Sequence, residues 1–161
     1  MKNPLETLLR FRVRDVMRNE VVTVQDTDTM RHAAALLHSY GITGAPVVDV
    51  EGKCVGVLSS SDFVNKELTE ASVSTSETMA FEKMYIAKPY AAPEAIAAHQ
   101  VGAYMAPLVH TVKSDDAMMK AARLLCEESI HRLIVVDNEY RPIGILSSLD
   151  IVACLVVAIE E

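Results

Sequence analysis

The sequence has no tryptophan, 5% aromatic residues and three cysteines among 161 residues. With so few rings, any interior must be filled by Val, Ile, Leu, Ala and Met. Cys54, Cys126 and Cys154 are odd in number and show no C-x-x-C spacing. That argues against a disulfide framework or a zinc site and fits small thiols in a reducing cytoplasm. The longest apolar run, residues 151–159, has 9 residues, against roughly 20 needed to cross a bilayer. Leu5-Glu6-Thr7-Leu8-Leu9-Arg10 lacks the apolar stretch of a signal peptide. Basic residues are the minority, 15 against 22 acidic, and the formal charge of −7 opposes general binding to nucleic acid or anionic membrane. What is abundant is apolar: 50% of the chain, which excludes disorder. The expectation is a cytoplasmic protein whose core needs neither disulfides nor structural metal.

The chain repeats itself. Sliding it by 88 positions lays residues 13–64 over 101–152 without a gap, and 22 of the 52 pairs are identical. Ordinary composition yields roughly three or four such matches. Val21-Val22-Thr23-Val24 falls on Val109-His110-Thr111-Val112, and Val47-Val48-Asp49 falls on Val135-Val136-Asp137. The sequence is a tandem duplication.

Each copy reads as β-α-β-β-α. Residues 21–24 form a β-branched run and read as a strand. Asp26 is the expected helix N-cap; Met30, Ala33, Ala34 and Leu37 follow at i, i+3, i+4, i+7, and Gly41 supplies the stop. The second copy has Ser114 as its expected cap, with Met118, Ala121, Ala122 and Leu125 at the same spacing. Two strands follow in each copy, residues 46–50 and 54–59, then 133–137 and 142–147. A final helix starts at Ser60 or Ser148. Leu5-Glu6-Thr7-Leu8 and Pro93-Glu94-Ala95-Ile96, at matching offsets, read as lead-in helices. The fold class is α/β in the broad sense (α+β), with two pseudo-symmetric repeats packed sheet to sheet. The organisation is residues 1–64, an inserted linker 65–91, and residues 92–161.

The chemically informative motif is a strand ending in Ser with Asp three residues on: Gly56…Ser59-x-x-Asp62 and Gly144…Ser147-x-x-Asp150. A helix N-terminus offers unpaired N–H groups and partial positive charge, which suits phosphate. A carboxylate beside it offers two acceptors for a ribose diol. The same pattern also reads as a helix capping box, and its recurrence does not decide between the two. Gly56 and Gly144 suggest a close backbone approach to the strand.

These features together resemble a tandem pair of CBS domains, a Bateman module. The resemblance rests on the duplicated unit, Met17 and Met105 before the first strand, Ala45-Pro46-Val47-Val48-Asp49, and the Gly…Ser-x-x-Asp endings. It implies two clefts between the copies that take AMP, ADP, ATP, S-adenosylmethionine or NAD. By that resemblance, one cleft joins Ser147 and Asp150 to Ile42, Thr43, Asp15 and Val16. The other joins Ser59 and Asp62 to Ile130, Arg132, Ala103 and Tyr104. His131 and Arg132 alternate in direction, which allows them to serve different clefts, and by the resemblance both face phosphate; the alternative is that Arg132 pairs with a surface acid and His131 is a half-buried strand residue. Ile134 stands where the first copy has Pro46, and Leu149 where it has Ser61.

His32 and His38 are six apart and miss the helical metal spacing, and no nucleophile–base pairing stands out. The expectation is therefore a regulatory nucleotide sensor rather than an enzyme, paired as a homodimer and acting on an unidentified regulated protein. Two rivals stand beside it: an interaction module with empty clefts whose motifs are only caps, and an enzyme using residues 65–100 as a lid.

Overall fold

A computed structural model of the protein describes residues 4–63, 94, 96–107 and 109–160. Its elements are α1 (Pro4–Arg10), α2 (Val13–Val16), β1 (Val24–Gln25), α3 (Met30–Ser39), β2 (Gly44–Val48), β3 (Cys54–Ser59), a 3-10 turn (Val101–Ala103), β4 (Thr111–Lys113), α4 (Met118–Glu127), β5 (Arg132–Val136), β6 (Pro142–Ser147) and α5 (Ser148–Glu160). Two three-stranded sheets result, ordered β1-β2-β3 and β4-β5-β6. In each, the first strand runs parallel to the second, with Val24 opposite Val47 and Thr111 opposite Ile134. The α+β class and its two similar repeats are as the sequence implies. The linker 65–91 lies outside the described residues, as does the first copy's final helix beyond Phe63.

The chain divides into two units that interleave the repeats. One comprises residues 23–51 and 55–108, the other residues 1–22, 52–54 and 109–161. Each repeat's lead-in segment therefore belongs to the unit holding the other repeat's helix and strands. In the first unit Met30, Ala33, Ala34 and Leu37 of α3 are buried with Val47, Leu58 and Val101. In the second, Ala121 and Leu125 of α4 are buried with Val13, Val112, Leu133 and Leu146. The i, i+3, i+4, i+7 pattern thus marks the buried helix stripe in both copies, with Ala122 of the second copy only half-buried.

Three local expectations need correction. The strand expected over residues 21–24 pairs only from Val24, because the β2 partners are Val47 and Val48. Asp26 and Ser114 are not the helix caps: those positions are Thr29, whose Oγ1 accepts from His32 N–H at 3.2 Å, and Ala117, which makes no side-chain cap. The physical reason is that lead-in carbonyls take the free N–H groups at the helix starts. Met30 N–H donates to His99 O at 2.8 Å, and Met118 N–H donates to Phe11 O at 3.0 Å. Finally, Glu94 and Ile96–Ala98 stand in turns instead of the expected lead-in helix; Pro93 and Ala95 lie outside the described residues.

Candidate functional site

Both Gly-containing strands deliver a serine to a helix start. Gly56 is buried on β3, where an added Cβ would meet Met105 Sδ at 2.5 Å and Ala106 O at 2.8 Å. On β6, a Cβ at Gly144 would meet Met17 Sδ at 2.6 Å and Arg18 O at 3.0 Å. The close approach expected at both glycines is present. It brings the lead-in backbone onto the strand: Val57 exchanges N–H···O bonds of 3.0 and 2.9 Å with Ala106, and Ile145 exchanges two of 2.9 Å with Arg18.

The Ser147–Asp150 pair closes on itself in both directions, as a capping box requires, whereas among the described residues the Ser59–Asp62 pair makes only the carboxylate half. Asp150 Oδ2 accepts from Ser147 N–H at 2.8 Å and Ser147 Oγ–H at 2.5 Å, while Asp150 N–H donates back to Ser147 Oγ at 3.1 Å. Asp62 Oδ2 accepts from Ser59 N–H at 2.7 Å and Ser59 Oγ–H at 2.9 Å. Ser59 Oγ also lies 2.7 Å from Ser61 Oγ, a contact Leu149 cannot make in the second copy.

A residue that sequence reasoning missed completes the second pair. Arg18 Nε lies 3.1 Å from Asp150 Oδ1, so both oxygens of that carboxylate are engaged. Burial pushes the Asp150 carboxyl upward, but hydrogen bonds from Ser147 and the Arg18 guanidinium outweigh it and hold the group below its ordinary value. Position 106, equivalent to 18 under the 88-residue shift, is Ala. Among the described residues Asp62 Oδ1 accepts no hydrogen bond. Comparing the two copies at positions 18 and 106 is the signal that singles out Arg18.

The other expected site residues fall as follows. Asp15 is exposed and its Oδ2 accepts from Arg12 N–H at 2.8 Å; Val16 is half-buried on the second unit's core. Ala103 is exposed, whereas Tyr104 is buried in the first unit with its hydroxyl 2.6 Å from His99 Nδ1. Ile42 packs on the first core and Ile130 on the second. Thr43 O accepts from Ser60 N–H at 2.9 Å, and His131 O accepts from Ser148 N–H at 3.0 Å. The loop before the second strand thus sits beside the Ser–Asp pair of its own repeat. Arg132 is exposed and stands opposite Ser147 in the β5–β6 register. Ile42 and Thr43 belong to one unit, Ser147 and Asp150 to the other.

A duplicated β-α-β-β unit with a lead-in strand bridge and a Ser–Asp pair at the end of its last strand is present in both copies. The CBS domain pattern covers residues 13–68 and 101–157. The chain belongs to the CBS-domain family. A relative from Methanocaldococcus jannaschii, the uncharacterized protein MJ1426, is 29% identical over 153 residues, 89% of this chain and 90% of its own length. The CBS domain of a CBS domain-containing membrane protein from Sphaerobacter thermophilus is 25% identical, with a TM-score of 0.70 over 94% of this chain and 91% of that one. CBSX2 from Arabidopsis thaliana, solved in complex with AMP, is 27% identical, with a TM-score of 0.67 over 94% of this chain and 99% of its own. Some relatives are longer: the CBS pair spans 59% of chloroplastic CBSX1 from Arabidopsis thaliana and 22% of an inosine-5'-monophosphate dehydrogenase from Methanocaldococcus jannaschii.

Among the described residues of the pair, no group of three or more His, Cys, Asp or Glu is placed to hold a metal ion. No described helix is long and apolar enough to cross a membrane.

Proposed function

We propose that this CBS pair is a regulatory module without catalysis of its own, which binds an adenosine ligand such as AMP, ADP, ATP or S-adenosylmethionine. The observation that carries the reading is the Ser–Asp pair at each strand-to-helix junction, in a chain 27% identical to a CBS protein solved with AMP. In this reading Ser59 and Ser147 hold phosphate, and Asp62 and Asp150 hold the ribose diol. Asp15, Val16, Ile42, Thr43, Ala103, Tyr104, Ile130, His131 and Arg132 contribute the contacts that the family resemblance assigns to them. Ser147 Oγ–H already donates to Asp150, so a phosphate competes with the cap for that proton. Cys54, Cys126 and Cys154, none of which forms a disulfide among the described residues, suit the cytoplasm. Val152, Leu155, Val156 and Ile159 share one exposed side of α5, which we assign to a second copy of the chain.

A thermal-shift series with AMP, ADP, ATP, S-adenosylmethionine and NAD tests the proposal. A true ligand at ~100 times its Kd raises Tm by about 5 °C or more. That rise shrinks in Asp62→Ala or Asp150→Ala; equal stabilisation of wild type and both variants refutes these sites. Sedimentation of the same samples reports whether the second copy is present. One observation favours a second reading, an interaction module whose boxes are only caps: Ser147 and Asp150 satisfy one another in both directions. It predicts no shift with any ligand and a lower Tm in both variants.

A further inference from the structure

The two Ser–Asp junctions are not electrostatically equal. At β6 the Arg18 backbone is fixed by its paired bonds to Ile145, so the side chain starts from a defined point beside Asp150. Its Nε meets Asp150 Oδ1 at 3.1 Å, where the carboxylate side chain is 12% exposed and the arginine side chain 69% exposed. Only Nε is engaged, so among the described residues the two terminal amino groups of this largely exposed guanidinium make no bond. The equivalent junction on β3 has Ala106, and Asp62 Oδ1 accepts no bond among the described residues.

We propose that Arg18 makes the Ser147/Asp150 junction selective for phosphorylated adenosine ligands over the neutral nucleoside, a contribution that Ala106 cannot make at the Ser59/Asp62 junction. The inference rests on the adenosine-binding reading above. A ribose diol that uses Asp150 must share or displace Arg18. A ligand phosphate gives the guanidinium a replacement acceptor with fork geometry, so the exchange conserves charge-assisted bonds. Neutral adenosine offers no such acceptor and leaves Arg18 competing for the carboxylate. At Asp62 one oxygen accepts no bond among the described residues and is open to either ligand.

Isothermal titration of the full chain with AMP and with adenosine tests this in wild type, Arg18→Ala, Arg18→Gln, Asp150→Ala and Ala106→Arg. Arg18→Ala should weaken AMP by about tenfold or more at the site that Asp150→Ala removes, while adenosine binding holds or tightens. Arg18→Gln keeps a donor for Asp150 without the charge and should also lose AMP preference, separating phosphate recognition from a structural role. Ala106→Arg should raise the AMP-to-adenosine ratio at the other junction, and melting curves confirm that each variant folds. An unchanged ratio in Arg18→Ala, with Asp150→Ala still abolishing a site, overturns the role of Arg18 and leaves the adenosine reading standing. Binding of neither compound overturns both.

Discussion

The two repeats agree where the backbone makes the demand and diverge where side chains do. Gly56 and Gly144 occupy equivalent positions, and each has a lead-in carbonyl pressed against the place a Cβ would fill. The cross-segment bonds repeat as well: Val101 N–H to Asp28 O at 2.8 Å matches Val13 N–H to Asp116 O at 2.9 Å. Around this frame the side chains have drifted, with Arg18 against Ala106 and Ser61 against Leu149. Shared packing therefore sets where the junctions form, and unshared side chains set how the two differ.

The sharpest way to break the shared half of the comparison is to add a methyl group at each glycine. Gly56→Ala and Gly144→Ala should each cost about 1–3 kcal/mol, because a backbone oxygen cannot swing away as a methionine sulfur can. Gly56→Ala should be the worse, since its nearest carbonyl lies at 2.8 Å against 3.0 Å for Gly144. Urea unfolding reads both. A neutral result at Gly144 means residues 17–18 do not lie against β6.

Carboxylate removal, measured without ligand, sharpens the divergent half. Asp150→Ala deletes a two-way box and the Arg18 pair and should cost about 1–2 kcal/mol; Asp62→Ala deletes less and should cost less. The folded Asp150 carboxyl titrates below its unfolded value of 3.8. Its contribution is therefore fully present above that value and fades as pH falls through the lower folded one. The stability gap between wild type and Asp150→Asn should be full at neutral pH and close below about pH 4. A gap of the same size in strong acid means that the charge of Asp150 contributes nothing.

Much of this frame was legible in the sequence because it is written in local periodicity. The spacing of Met30, Ala33, Ala34 and Leu37 marks a buried helix face whatever surrounds it, and a lone glycine in a strand marks a close neighbour. The helix caps were not legible. Asp26 and Ser114 have the right chemistry, yet the carbonyls that meet the helix N-termini come from Phe11 and His99, on segments far along the chain. Arg18 was hidden for the same reason, since its partner Asp150 lies 132 residues away. Nothing near either residue announces the pairing. The Ser–Asp motif was legible as a pattern, but the pattern fits a cap and a ligand site equally, and the full reciprocal cap forms at Ser147 and Asp150.

The smallest expected effect concerns the turns after α3 and α4, where backbone and side chain pull apart. Gly41 has φ +61° and its counterpart Ser129 has φ +53°, so both copies use the left-handed conformation at the helix end. Glycine adopts it without penalty, whereas serine brings a Cβ into conflict with its own backbone. Nothing lies within 4 Å of a Cβ placed at Gly41, so the cost there is conformational and not a clash. Ser129→Gly should therefore raise stability by about 0.5–1 kcal/mol, and Gly41→Ser should lower it by a similar amount. Tyr140, at φ +67° opposite Gly52 in the other copy, is a poorer probe. Its ring sits 5.5 Å from the Lys113 ammonium and its hydroxyl 3.3 Å from Thr111 Oγ1, so Tyr140→Gly removes contacts along with strain. Equal and opposite shifts at 41 and 129, read by thermal melts, mean that the two turns share one backbone and differ only in who occupies it. A Ser129→Gly variant no more stable than wild type means that the serine has local bonds that offset its strain, and the equivalence of the two turns then fails.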